Sequence, residues 1–201
     1  MVNRLLVTLL ILMAGGFSRT AAAQPQSEAD EVRQLLDQRD GEIKKLLGNK
    51  KKLSDAERQN LKDVVNNGID FEGMGRFALG AFWSDITPRQ REEFVEVFSE
   101  IVRAQSLSNL DVYRSKVTYK EVTVEGDSAY VVTSTVYKDV PTDVDYVLVR
   151  KDGRWRVQDI ILDDVSTAEG YARSFQTVIR KRGFDALMAS LHKKLDTMMT
   201  S

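Results

Sequence analysis

The hydrophobic period of this chain changes twice, and that constrains its fold more than any other feature. From Val32 to Val102 apolar residues recur every three or four positions, from Lys116 to Leu162 they alternate, and after Ser166 the helical spacing returns. Helices, then a meander of strands, then helices predict an α+β domain in which helices cover an antiparallel sheet. The first helical stripe joins Val32, Leu35, Leu36, Ile43, Leu46 and Leu47 and ends at Gly48, and a capping box of Ser54 and Glu57 opens the second. A short helix from Phe71 to Leu79 leads to Phe82 and Trp83; Thr87-Pro88 with Gln90 then opens a longer one through Phe94, Val97, Phe98, Ile101 and Val102. Ser166 and Glu169 cap a fifth helix that ends at Gly183, and Phe184, Leu187, Leu191 and Leu195 mark the sixth. Strands are expected at 116–124, 128–138, 144–151 and 154–162, divided by Glu125-Gly126-Asp127, by Pro141 and by Asp152-Gly153. Six apolar helix stripes exceed what one four-stranded (or slightly larger) sheet needs, which points to a curved sheet with an enclosed apolar cavity.

The first 23 residues read as a cleavable export signal. Arg4 gives a positive start, Leu5 to Met13 is apolar apart from Thr8, and Ala21-Ala22-Ala23 offers small residues before a cut ahead of Gln24. Residues 24–201 then form a single exported, soluble domain. The absence of cysteine excludes disulfides, thiol catalysis and an acylated lipoprotein anchor. One histidine, His192, leaves no scope for a zinc site or a histidine acid–base pair, so no metal and no cofactor are expected. With 29 basic against 30 acidic side chains there is no electrostatic footprint for nucleic acid, and no glycine-rich loop could cradle a nucleotide phosphate.

Alternation puts Tyr146 and Leu148 on one face of the third strand, and Trp155, Val157, Asp159 and Ile161 on one face of the fourth. Asp159 in such a face is expected to be a structural carboxylate held by backbone or arginine donors. A rival reading makes it the general base of an exported enzyme, with Tyr146 as the second polar group on the same face. Arg180, Lys181 and Arg182 end one helix and Lys193 and Lys194 lie on the next, forming a basic edge near the expected cavity mouth. That edge is expected either to be solvated or to meet anionic headgroups or an acidic docking surface through Arg180, Arg182 and Lys194.

Motifs spread over most of the chain resemble those of the MlaC, or toluene-tolerance auxiliary-transport, family of periplasmic lipid carriers. They are Asp70-Phe71-Glu72-x-Met74, Leu79-Gly80-x-Phe82-Trp83 and Thr87-Pro88-x-Gln90-Arg91-x-Glu93-Phe94, then Val144-Asp145-Tyr146-x-Leu148, Trp155-x-Val157-x-Asp159-Ile160 and Gly183-Phe184-Asp185-x-Leu187. The chain departs from the family pattern around Arg103 to Ser108, where an aromatic residue is missing, and in the spacing of Tyr171 to Phe175. The resemblance implies a nuclear-transport-factor-2-like sheet wrapped by helices, with a phospholipid's acyl chains held between them. It also implies a non-enzymatic periplasmic monomer that shuttles lipid between an outer-membrane lipoprotein–porin complex and an inner-membrane ABC transporter with a lipid-binding ring, maintaining lipid asymmetry. A hopanoid-type cargo fits the same pattern. The large apolar residues on the expected inner faces, Trp83, Phe98, Tyr146, Leu148, Val157, Ile161, Phe175 and Ile179, are the expected lipid contacts. Such a carrier needs no reactive residue: exposing two acyl chains of about 30 methylenes to water costs on the order of 24 kcal/mol, and a soluble apolar shell removes that barrier.

Overall fold

Five of the helices begin where a side chain takes up a free N–H group. Ser27 caps α1 (Glu28–Leu47), and Ser54 caps α2 (Asp55–Asn66) in a full capping box with Glu57. Asp70 caps α3 (Phe71–Leu79), which a four-residue α4 (Phe82–Asp85) follows; Thr87 and Gln90 form a second full capping box at α5 (Pro88–Ser106). After a 3₁₀ turn (Leu110–Arg114) come β1 (Thr118–Glu125), β2 (Ser128–Tyr137), β3 (Val140–Lys151), β4 (Arg154–Leu162) and β5 (Val165–Ser166), then α6 (Thr167–Arg182) and α7 (Phe184–Met199). The computed structural model describes residues 27–50, 52–107 and 110–200, so the expected export signal lies outside the described residues. The expected box of Ser166 with Glu169 is only half made. Ser166 accepts from the Glu169 N–H but donates its own proton to Asp159 at 2.5 Å.

The sheet is an antiparallel meander in the order β1-β2-β3-β4-β5. Its turns are two residues long, and Lys138, Asp139, Asp152, Asp163 and Asp164 all take positive φ there. A tight hairpin needs that left-handed geometry to match the twist of its strands, and aspartate tolerates it better than most residues. The break between β2 and β3 is therefore Lys138-Asp139, not Pro141, which lies inside β3 opposite Val136. Proline fits there because it stands next to the hairpin end, where a missing ladder N–H costs little.

The buried side chains divide into three clusters. Met74, Trp83, Phe94, Phe98, Ile101, Phe175, Ile179 and Leu187 join α3 to α7 into an all-helical core. Val32 and Leu36 of α1 lie on Ala129, Val131, Leu148, Trp155 and Val157 of the sheet. Ile43, Leu47, Leu61 and Leu107 close the junction of α1, α2 and the end of α5. Strand β4 is the seam between sheet and helices. The α2–α3 linker runs along it, with Val157 N–H donating to Gly68 O and Asp70 N–H to Val157 O, both at 2.8 Å. No helix among the described residues is long and apolar enough to cross a membrane.

Candidate functional site

The eight expected lipid contacts fall into two walls and one exception. Trp83, Phe98, Phe175 and Ile179 belong to the helix cluster. Phe98 is fully sealed, stacked on Phe94 at 5.5 Å between centroids and edge-on to Tyr171 at 5.0 Å and Phe175 at 5.8 Å. Two guanidiniums approach Trp83, Arg91 at 5.5 Å and Arg76 at 5.9 Å from its ring centre, and its carbonyl accepts from Arg91 Nε at 2.9 Å. Tyr146, Leu148 and Val157 belong to the sheet wall that α1 covers.

Ile161 does not. Between β3 and β4 the register slips, so that Val147 faces Asp159 while Leu148 faces Val157, and β4 carries one extra residue. The bulge reverses the alternation beyond Val157. Ile160 stands opposite Tyr146 and packs on the sheet cluster, whereas Asp159 and Ile161 pair with Val147 and Asp145 on the other face. Strict alternation through Trp155, Val157, Asp159 and Ile161 was the expectation, and a bulge leaves no signature in a run of branched residues.

Asp159 is 9% exposed and fully employed. One oxygen accepts the backbone N–H of Ile160 at 2.8 Å and of Ala168 at 2.9 Å, and the other accepts the Ser166 hydroxyl. It holds the first turn of α6 to the sheet, as the structural reading expects. The pair that the enzyme reading requires is not formed, because Tyr146 projects from the opposite face. Among the described residues no group of acidic or histidine side chains could hold a metal ion.

The sheet wall carries polar groups that the sequence pattern did not single out. Thr133 and Thr135 extend the row of Ala129 and Val131, and their hydroxyls donate to Val144 O and Lys116 O, which satisfies them in a buried setting. Burial first, then the charge of Asp40 on α1 and the neighbouring Tyr113, push the Tyr146 phenol up to about 12. Tyr113, also raised to about 12 by burial, donates to Ser106 O at 2.9 Å. Both phenols therefore remain protonated donors at any physiological pH. The alternating Ala, Val, Thr and Thr at 129, 131, 133 and 135 could have revealed this row.

Two surface concavities border these walls, and neither is the enclosed apolar cavity that the sequence points to. One of about 520 Å³ runs along α1 past Asp30, Arg33, Gln34, Asp37 and Gln38. The other, of about 340 Å³, lies where α4 and the start of α5 meet the α6–α7 turn, with Phe82, Ile86, Ile179 and Phe184 as its apolar lining and Arg182, Asp85 and Asp185 as its charges. Arg180, Lys181, Arg182, Lys193 and Lys194 are all exposed, as expected of a basic edge. Fifteen residues of helix, about 22 Å, separate Arg182 from the end of α6 that adjoins the sheet.

The chain is similar to proteins of known family and fold. The family model described as MlaC protein matches residues 27–193. The intermembrane phospholipid transport system binding protein MlaC of Haemophilus influenzae is 25% identical over 146 residues, covering 66% of this chain and 67% of that protein. A phospholipid-binding protein from Ralstonia solanacearum, solved in complex with a phospholipid, superposes with a TM-score of 0.68 at 23% identity, over 84% of this chain and 96% of that one. The last of these establishes the fold.

Proposed function

This chain belongs to the MlaC family, and from that premise we propose that it is a soluble periplasmic carrier of phospholipid with no catalytic step of its own. The family match over nearly the whole described chain carries the reading, and the names of its relatives supply the cargo. The acyl chains lie between two walls, Tyr146, Leu148, Val157 and Ile160 on the sheet and Trp83, Phe98, Phe175 and Ile179 on the helices. Polar ties at β4, through Asp159 and the Gly68–Asp70 linker, hold the walls together at one edge while their apolar clusters remain separate. The partners in this reading are an outer-membrane lipoprotein–porin complex and an inner-membrane ABC transporter with a lipid-binding ring. Delivery needs only that each binds the loaded and empty forms with different affinity.

Native mass spectrometry of protein purified from a diderm host tests the proposal directly. A co-purifying phospholipid is expected, and the absence of lipid together with no uptake from liposomes sinks the reading. Leu148→Asp and Val157→Asp place a carboxylate against hydrocarbon and should abolish uptake, while Lys52→Ala at an exposed turn should not. Tyr146→Ala, at a half-buried position that tolerates truncation better, should lower uptake in a protein whose circular dichroism is unchanged. Normal lipid extraction by that folded variant moves the cargo off this face.

A further inference from the structure

Ion pairing is unevenly distributed over this molecule. Outside the α6–α7 hairpin, Arg33, Lys44, Lys50, Lys62, Arg103, Arg114, Lys120, Arg150 and Lys151 each lie within 4 Å of a carboxylate, while others such as Arg58, Arg76, Arg89 and Arg154 do not among the described residues; on the hairpin only His192 meets one, Glu93 at 3.2 Å. Arg173, Arg180, Lys181, Arg182, Lys193 and Lys194 on the α6–α7 hairpin have no such partner among the described residues; Arg180 only donates to Thr177. From Thr167 to Met199 these six cations stand against Glu169, Asp185 and Asp196, a local charge of +3 in a chain whose total is −1. The groove of about 340 Å³ opens beside the hairpin turn, where Phe82 and Phe184 are half-buried in its lining, Arg182 borders it and Asp85 and Asp185 are the opposing charges.

We propose that the α6–α7 hairpin is a docking surface for an anionic lipid bilayer. The charge is of the right sign, and none of the six cations has a carboxylate within 4 Å among the described residues. The half-buried phenyl rings of Phe82 and Phe184 beside the turn suit the boundary of headgroups and acyl chains, where interfacial helices bury phenylalanine. An attraction of this kind accumulates by about 1 kcal/mol for each lysine or arginine near a negatively charged leaflet and fades within a Debye length. The far end of the molecule offers a contrast: the turns at Lys138-Asp139 and Asp163-Asp164 carry one lysine and three aspartates, so the bilayer should orient the molecule with its helical hairpin inward. The proposal takes from the carrier reading only that the protein must meet membranes.

Flotation of the full mature chain with vesicles tests it. Wild type should float with phosphatidylcholine vesicles containing phosphatidylglycerol at low ionic strength, and not with phosphatidylcholine alone. Raising the salt to several hundred millimolar should release it. The triple variant Arg180→Glu, Arg182→Glu and Lys194→Glu should bind at least about a hundredfold more weakly, while Lys138→Glu at the opposite end should match wild type. Equal binding to both vesicle types overturns the proposal, as does loss caused equally by Lys138→Glu. Absence of any vesicle binding at low salt also overturns it and leaves an acidic protein surface as the partner of this face. Native mass spectrometry of the triple variant separates the two readings: retained phospholipid with lost flotation places the defect in docking, whereas a wild type without lipid that still floats rejects the cargo and keeps the docking surface.

Discussion

The helix wall and the sheet wall are built from different materials. In the helix cluster Phe94, Phe98, Tyr171 and Phe175 meet in stacked, edge and tilted contacts between 5.0 and 6.0 Å, so each of these rings is held by at least two others, and Phe184 adds a tilted contact to Phe94 at 6.4 Å. Among the described residues the sheet wall shows no aromatic pair. It offers Ala129, Val131, Leu148, Val157 and two buried threonines, with Trp155 at one end under the Arg150 guanidinium at 4.5 Å. Interlocked rings resist displacement because pairs of them add stabilisation beyond their buried area, whereas a smooth surface of small and branched groups exchanges one apolar neighbour for another at little cost. In a carrier this assigns rigidity to the helices and accommodation to the sheet.

Truncation should measure that difference. Phe98→Ala removes the ring that stacks on Phe94 and meets Tyr171 and Phe175, and should cost about 3–5 kcal/mol in urea unfolding. Leu148→Ala, equally sealed at 0% exposure, should cost about 2–3 kcal/mol, toward the lower end for leucine, because its small neighbours can relax around it. The contrast fails if Leu148→Ala proves the more destabilising of the two.

Much of this architecture was legible because it is local. Helix starts followed from Ser54 with Glu57 and from Thr87 with Gln90, since a cap and its partner lie three residues apart. Asp152-Gly153 marked its hairpin for the same reason, but Lys138-Asp139 did not, because lysine is an unusual occupant of a left-handed turn. The two-residue β5 and four-residue α4 are too short for any period to declare them. The candidate site was less legible than the fold. Four of its residues lie in the helix cluster and three in the sheet cluster, a partition set by contacts between distant parts of the chain, and the bulge before Ile160 exchanged it with Ile161. The half-made cap at Ser166 has the same origin. Its hydroxyl serves Asp159, a partner seven residues away on another element.

The linker joining the two walls provides a second, smaller test. Gly68 has φ +102, where any side chain strains the backbone, and a Cβ there would lie 1.9 Å from Nη2 of Arg39 and displace the end of that flexible side chain. It should cost about 1–3 kcal/mol. Gly41, inside α1, has nothing within 4 Å of an added Cβ, and Gly41→Ala should stabilise by about 0.5–1 kcal/mol. Measured by thermal unfolding, the two variants should differ in sign. If the linker also sets how the walls meet, Gly68→Ala should change lipid uptake while Gly41→Ala leaves it alone; equal uptake by both confines the seam to stability.

The smallest effect lies outside both walls and calibrates them. Glu57 is held down to about 2 from an ordinary value of 4.5, by its hydrogen bond from Lys50 first and then by the backbone N–H and hydroxyl of Ser54. A carboxylate with a lowered pKa in the folded state stabilises the fold above the unfolded value and loses that contribution as pH falls toward the folded one. The difference in Tm between wild type and Glu57→Gln should therefore be constant above pH 4.5 and shrink between 4.5 and about 2. Because the pair with Lys50 is exposed, salt should narrow it further. The side chain caps α2, whose buried residue Leu61 belongs to the third cluster with Ile43, Leu47 and Leu107, so lipid retention should not follow this titration. A Tm difference that stays constant down to pH 2 rejects the assignment of the cap, and lipid lost in step with it would show that the walls are governed from α2 instead of from the seam at β4.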